Sequence, residues 1–105
     1  MLNPLKNLFG NNDADEFARS LASVIAERYS VASEVQGGRN KRDEKRLGRA
    51  LSIIQNEVRD YKSSHRLGVY RKARISNTFK WELKEMGYTE AFADEVTNTL
   101  VMHLG

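Results

Sequence analysis

A chain of 105 residues, 40% hydrophobic and 30% charged, is one domain's worth of sequence, too apolar for a wholly disordered tail and too polar for a membrane protein. The absence of cysteine excludes a disulfide scaffold, a thiolate zinc site and a cysteine nucleophile, and one proline with seven glycines argues against an all-β chain. The net charge of +3 conceals a strong internal polarity that carries most of the functional information.

Residues 1–12 read as an N-terminal arm, in which Pro4 and Gly10-Asn11-Asn12 bracket Leu5, Leu8 and Phe9. These apolar residues either dock on the body or form a short amphipathic foot, and the single charge at Lys6 gives little attraction to anionic lipid. The start lacks the continuous apolar run of a secretory signal. No stretch approaches the roughly 20 apolar residues of a membrane span, so a cytoplasmic protein is expected.

A first helix is predicted over 13–34. Asn12 or Asp13 can cap it, Asp13 with Glu16 makes a capping-box-like start, and Asp15 and Glu16 suit the positive end of the dipole. Phe17, Leu21, Val24 and Ile25 fall on one side at helical spacing, continued by Val31 and Ala32. Arg28 lies in that stripe, either laying its stem over the edge of the core or meeting a buried carboxylate.

Gln36-Gly37-Gly38 ends the helix, and the second, over 40–65, is the clearest in the chain. Leu47, Leu51, Ile54, Val58 and Tyr61 follow heptad spacing with Ala50 beside them. The seam is too short for a long coiled coil and points to an antiparallel bundle. Ser63-Ser64 and Gly68 mark a break before a third helix, set at 69–86, which Ser76 or Asn77 could instead cap at a later start; Phe79, Leu83 and Met86 share a face either way, joined by Ile75 if the start is early. Gly87 reads as its C-terminal cap. Thr89 then caps a last helix, 89–103, with Phe92, Val96, Thr99 and Leu100 inward. The expected fold is all-α: a compact bundle of about four helices forming a single domain over 13–105.

Residues 1–38 hold three basic and five acidic side chains, residues 39–74 twelve and four, and residues 75–105 two and five. The three segments therefore carry net charges of −2, +8 and −3. Arg39, Lys41, Arg42, Lys45, Arg46 and Arg49 crowd the start of the second helix, where the dipole penalises positive charge by about 0.3–1 kcal/mol per exposed group. Arg39, Arg42, Arg46 and Arg49 fall on one stripe, roughly 120° from the apolar seam, and so are expected to face water. Guanidinium groups in a row repel one another, and an anionic partner relieves that; their forked geometry suits phosphate oxygens. A second basic cluster comprises Arg66, Arg71, Lys72 and Arg74. Tyr70, Arg74, Asn77 and Trp81 share a helical stripe, where the two aromatics either pack against another helix or stay exposed to stack on bases.

Little in the chain suggests catalysis. His65 and His103 form no metal-binding pair, Ser63-Ser64-His65 is no nucleophile motif, and Gly37-Gly38-Arg39 lacks the spacing of a nucleotide loop. Both histidines project onto the apolar sides of their helices as edge-of-core or helix-end residues. Gly87 between two helices resembles a helix-turn-helix link, but the following helix carries Glu90, Asp94 and Glu95, which phosphates would repel. No enzyme activity, cofactor or metal is expected. The expectation is a non-catalytic helical binding protein, an adaptor or regulatory module. Its basic face over 39–74 would engage an acidic protein partner or a second copy of the chain. The alternative is a nucleic-acid-binding protein of weak sequence preference using the same face. A membrane surface is not the expected partner. The candidate residues are Arg39, Lys41, Arg42, Lys45, Arg46, Arg49, Arg66, Tyr70, Arg71, Lys72, Arg74 and Trp81. All depends on whether carboxylates of the chain itself already neutralise these cations.

Overall fold

Capping chemistry sets most of the helix ends in the computed structural model, which describes residues 11–37 and 39–105. The helices are α1 (Asn11–Arg28), α2 (Val31–Val35), α3 (Lys41–Ser64), α4 (Val69–Met86) and α5 (Glu90–Leu104), and the described residues contain no strand. The expected all-α class is observed. Residues 1–10 of the expected arm, including Leu5, Leu8 and Phe9, lie outside the described residues, as does Gly38.

α3 starts on a reciprocal capping box. The Asn40 side chain accepts the Asp43 N–H at 2.8 Å, and the Asp43 carboxylate accepts the Asn40 N–H at 3.4 Å. α4 ends on Gly87 in the left-handed conformation, φ 112°, whose N–H and that of Tyr88 satisfy the Lys84 and Leu83 carbonyls. Thr89 caps α5 by accepting the Phe92 N–H at 3.2 Å.

The first helix differs from expectation: it does not run unbroken to residue 34. It stops at Arg28, and Ser30 takes an extended conformation, its hydroxyl accepting the Ser33 N–H at 3.1 Å to begin the five-residue α2. The break turns Tyr29 into the core at 2% exposure. There its ring meets Phe92, its hydroxyl donates to Glu34 at 2.8 Å, and its carbonyl accepts the Tyr88 hydroxyl.

α1 packs on both α3 and α4, and α5 packs on the same two, so α3 and α4 stand at opposite corners of the bundle. Side-chain pairs fix the directions. Asp13 with Arg71, Asp15 with Arg74 and Arg19 with Glu82 make α1 and α4 parallel. Phe17 stacked on Tyr61 at 4.0 Å, near the start of α1 and the end of α3, makes those two antiparallel. Lys80 with Asp94 and Lys84 with Glu90 make α4 and α5 antiparallel.

The α3 seam is buried as expected at Leu47, Ala50, Ile54, Val58 and Tyr61, while Leu51 is half-buried. α1 contributes Ala14, Ala18, Leu21, Ala22 and Ile25, and the small alanines let it approach its neighbours closely. Phe17 and Val24 lie at the edge of this core. Ile75, Phe79 and Leu83 of α4 and Phe92, Val96 and Leu100 of α5 complete it, each full burial stabilising by about 1.5–3 kcal/mol relative to an exposed side chain. Thr99, expected inward, is half-buried, and Thr97 takes a buried position instead.

Candidate functional site

α3 directs its apolar seam inward, and the geometry of a helix then sends the basic residues of its N-terminal part away from the core. Lys41, Arg42, Lys45, Arg46 and Arg49 are all exposed, and none pairs with a carboxylate of the described residues. They form a ridge about 12 Å long, at 1.5 Å per residue. The capping carboxylate of Asp43 and the exposed Glu44 are the acidic groups on this part of the helix, and Glu44 lies toward Arg39 at 3.9 Å.

Arg39 is not part of that ridge, which corrects the expected four-arginine stripe. It precedes the helix, its side chain is 23% exposed, and it hydrogen-bonds Glu95 of α5 while lying over the Phe92 ring at 5.7 Å. Its hydrogen bond to Glu95 holds the guanidinium charged. It fastens the chain before α3 to α5.

The second basic cluster is also largely committed internally. The Arg74 guanidinium forks onto the Asp15 carboxylate at 2.9 and 3.0 Å, and the Thr78 hydroxyl donates to the same carboxylate at 3.0 Å. Asp15 is 7% exposed, and the Arg74 hydrogen bond outweighs its burial to hold the carboxyl below the usual range. Arg71 donates to Asp13 at 3.2 Å and to the Tyr61 hydroxyl at 3.0 Å, while Tyr61 donates to Asp13 at 2.6 Å. His65 stacks on Tyr61 at 3.9 Å with Nε2 3.4 Å from Asp13, a helix-end place that suits its expected role. Arg66 is exposed and Lys72 half-buried, neither paired with a carboxylate of the described residues.

The span 39–74 is therefore not one continuous face. Arg49 and Ser64 are separated along α3 by about 22 Å, so the ridge and the second cluster lie at opposite ends of that helix. Tyr70 and Trp81 are 64% and 63% exposed on α4, at the corner opposite α3. Trp81 carries Lys84 over its ring at 5.2 Å and borders a shallow depression whose charged groups, Asp15, Arg19, Arg74 and Lys80, are already paired with one another or with Glu82 and Asp94.

No protein family, curated protein or solved structure matches this chain. The chemistry of its surface is thus the guide to its role. Among the described residues no group of His, Asp and Glu could hold a metal ion, and no helix is long and apolar enough to cross a membrane.

Four of the five carboxylates after residue 74 follow the same pattern of internal pairing, Glu85 being the exception. Glu82 pairs with Arg19, Glu90 with Lys84, Asp94 with Lys80 and Glu95 with Arg39. Among the described residues, the α3 ridge is a concentration of charge left without an ion-pair partner. Sequence reasoning did not assign to the site three residues beside it, Arg28, Gly48 and Ser52, which line a depression along its flank with Lys45 and Arg49. A glycine in the middle of an otherwise regular amphipathic helix was the available signal.

Proposed function

We propose that this protein is a non-catalytic binding module that engages an acidic protein segment through Lys41, Arg42, Lys45, Arg46 and Arg49. One observation carries the reading: these five cations are exposed and pair with no carboxylate of the described residues, while Arg39, Arg71, Arg74, Lys80 and Lys84 are matched inside the fold. Holding them together costs stability through mutual repulsion and an opposed helix dipole, and a polyanionic partner removes that cost. The carboxylates of α5, Glu90, Asp94 and Glu95, are engaged inside the fold and not held ready for a second copy, so a separate acidic chain is the better partner. The exposed aromatics that could stack on bases stand at another corner of the bundle, which favours a protein over single-stranded nucleic acid.

Charge reversal of Arg42, Lys45, Arg46 and Arg49 to glutamate provides the test. The variant should keep its helical circular dichroism and lose binding to a glutamate-rich peptide. A duplex DNA of equal charge should bind the wild type more weakly than the peptide does. Unchanged peptide binding by the variant, or preference for DNA, contradicts the proposal.

A further inference from the structure

Gly48 is exposed in the interior of α3, with ordinary helical backbone, and among the described residues no atom beyond its own stretch of helix lies within 4 Å of the place a Cβ would occupy. Among the described residues, neither packing nor backbone conformation asks for glycine there. An exposed helix interior is among the least favourable places for it, because glycine loses the most backbone freedom on folding. A bare patch of helix is useful where another backbone must come close. Around it lies a shallow depression of about 630 Å³ lined by Arg28, Lys45, Arg49, Ser52 and Ile53. Glu27, paired with Arg28 at 3.4 Å, and Glu44, turned toward Arg39, are the carboxylates adjacent in sequence to its lining cations Arg28 and Lys45.

We infer that Gly48 is the crossing point at which a helix of the acidic protein partner lies against α3, its carboxylates held by Lys45, Arg49 and Arg28. The inference rests on the proposed function and adds the partner's form and its place on the ridge. Packed helix axes ordinarily stand about 8–10 Å apart, set by the side chains between them. Removing the Cβ at the crossing lets the partner's backbone settle between the flanking cations, with Ile53 giving an apolar contact and Ser52 a hydroxyl. Duplex nucleic acid gains nothing from the missing Cβ, since its phosphates are reached by the tips of long side chains.

The experiment uses the full chain and a helical peptide of about five Glu-Ala-Ala-Ala repeats, with affinity read by fluorescence anisotropy at low salt. Gly48→Ala should raise the melting temperature by about 4 °C or more, since alanine is the better helix former, yet weaken binding severalfold. Gly48→Leu should keep the fold and weaken binding by about tenfold or more, through overpacking at the crossing. Lys45→Glu with Arg49→Glu should abolish it. If Gly48→Leu binds like wild type while the charge-reversed variant does not, the crossing is wrong and the ridge stands. If the peptide binds neither protein, or both equally, the ridge falls and the crossing with it.

Discussion

Arg74→Ala probes the polar tie that joins α1 to α4. Both of its bonds to Asp15 vanish, and a carboxylate that is 7% exposed keeps only the Thr78 hydroxyl. A hydrogen bond to a charged group contributes about 1.5–3 kcal/mol net, and stripping the partner from a fully buried charge costs about 3–5 kcal/mol. The Arg74 side chain is 38% exposed, so solvent already screens part of the attraction, and Thr78 still serves one oxygen. Together these place the loss at about 2–3 kcal/mol, which in a domain of this size lowers the melting temperature by on the order of 10 °C. The sign of the pH dependence follows from Asp15, whose carboxyl is lowered chiefly by the Arg74 hydrogen bond. A depressed carboxyl contributes stability that is present above about pH 4 and is lost as the pH falls through its lower folded value. Urea denaturation of wild type and variant at neutral pH and at successively lower pH should therefore show a gap that narrows below about pH 4. A gap under about 0.5 kcal/mol at neutral pH, or one that stays constant into acid, would refute the assignment.

Three further outcomes follow from local geometry. Gly87→Ala should destabilise by about 1–2 kcal/mol in thermal melts, since a side chain at φ 112° is strained and its Cβ would stand 3.1 Å from the Val31 Cγ1. Thr97→Val should hold or raise stability by up to about 1 kcal/mol, because the buried Thr97 hydroxyl has no hydrogen-bond partner among the described residues; a clear loss on denaturation would contradict that. Burial, aided by Glu34, pushes Tyr29 up to about 12, and burial likewise pushes Tyr88 up to about 12. The unfolded chain ionises these phenols near pH 10, so stability present below that value should be lost as pH rises toward 12, with ionisation seen by ultraviolet absorbance coinciding with unfolding.

Much of the fold was legible because its signals are local. The Leu47–Tyr61 seam, the Asn40 start, the Gly87 stop and the Thr89 cap each record their structure within a few residues. The break at Ser30 was hidden because Val31 and Ala32 continue the apolar spacing, while the force that opens the helix is burial of Tyr29 against residues near 90. The alanine stripe of α1 was missed because small residues give a weak hydrophobic signal, although they matter most where helices approach closely. The site was half legible. Helical spacing sufficed to turn Arg42, Arg46 and Arg49 outward. It could not reveal that Arg39, Arg71 and Arg74 would meet Glu95, Asp13 and Asp15, partners 56 to 59 residues away that only the tertiary fold brings together. Asp13 and Asp15 looked like dipole-matching residues at a helix start, and their tertiary use left no mark in their spacing.

The most direct measurement of the central claim is a residue-resolved nuclear magnetic resonance titration of the full chain with the glutamate-rich helical peptide at low salt. Chemical-shift changes should be confined to the backbone amides of about residues 41–53 and the neighbouring end of α1, and should fade as salt is raised. Changes centred instead on α4 between Tyr70 and Trp81, or spread evenly over the surface, would contradict a binding ridge on α3.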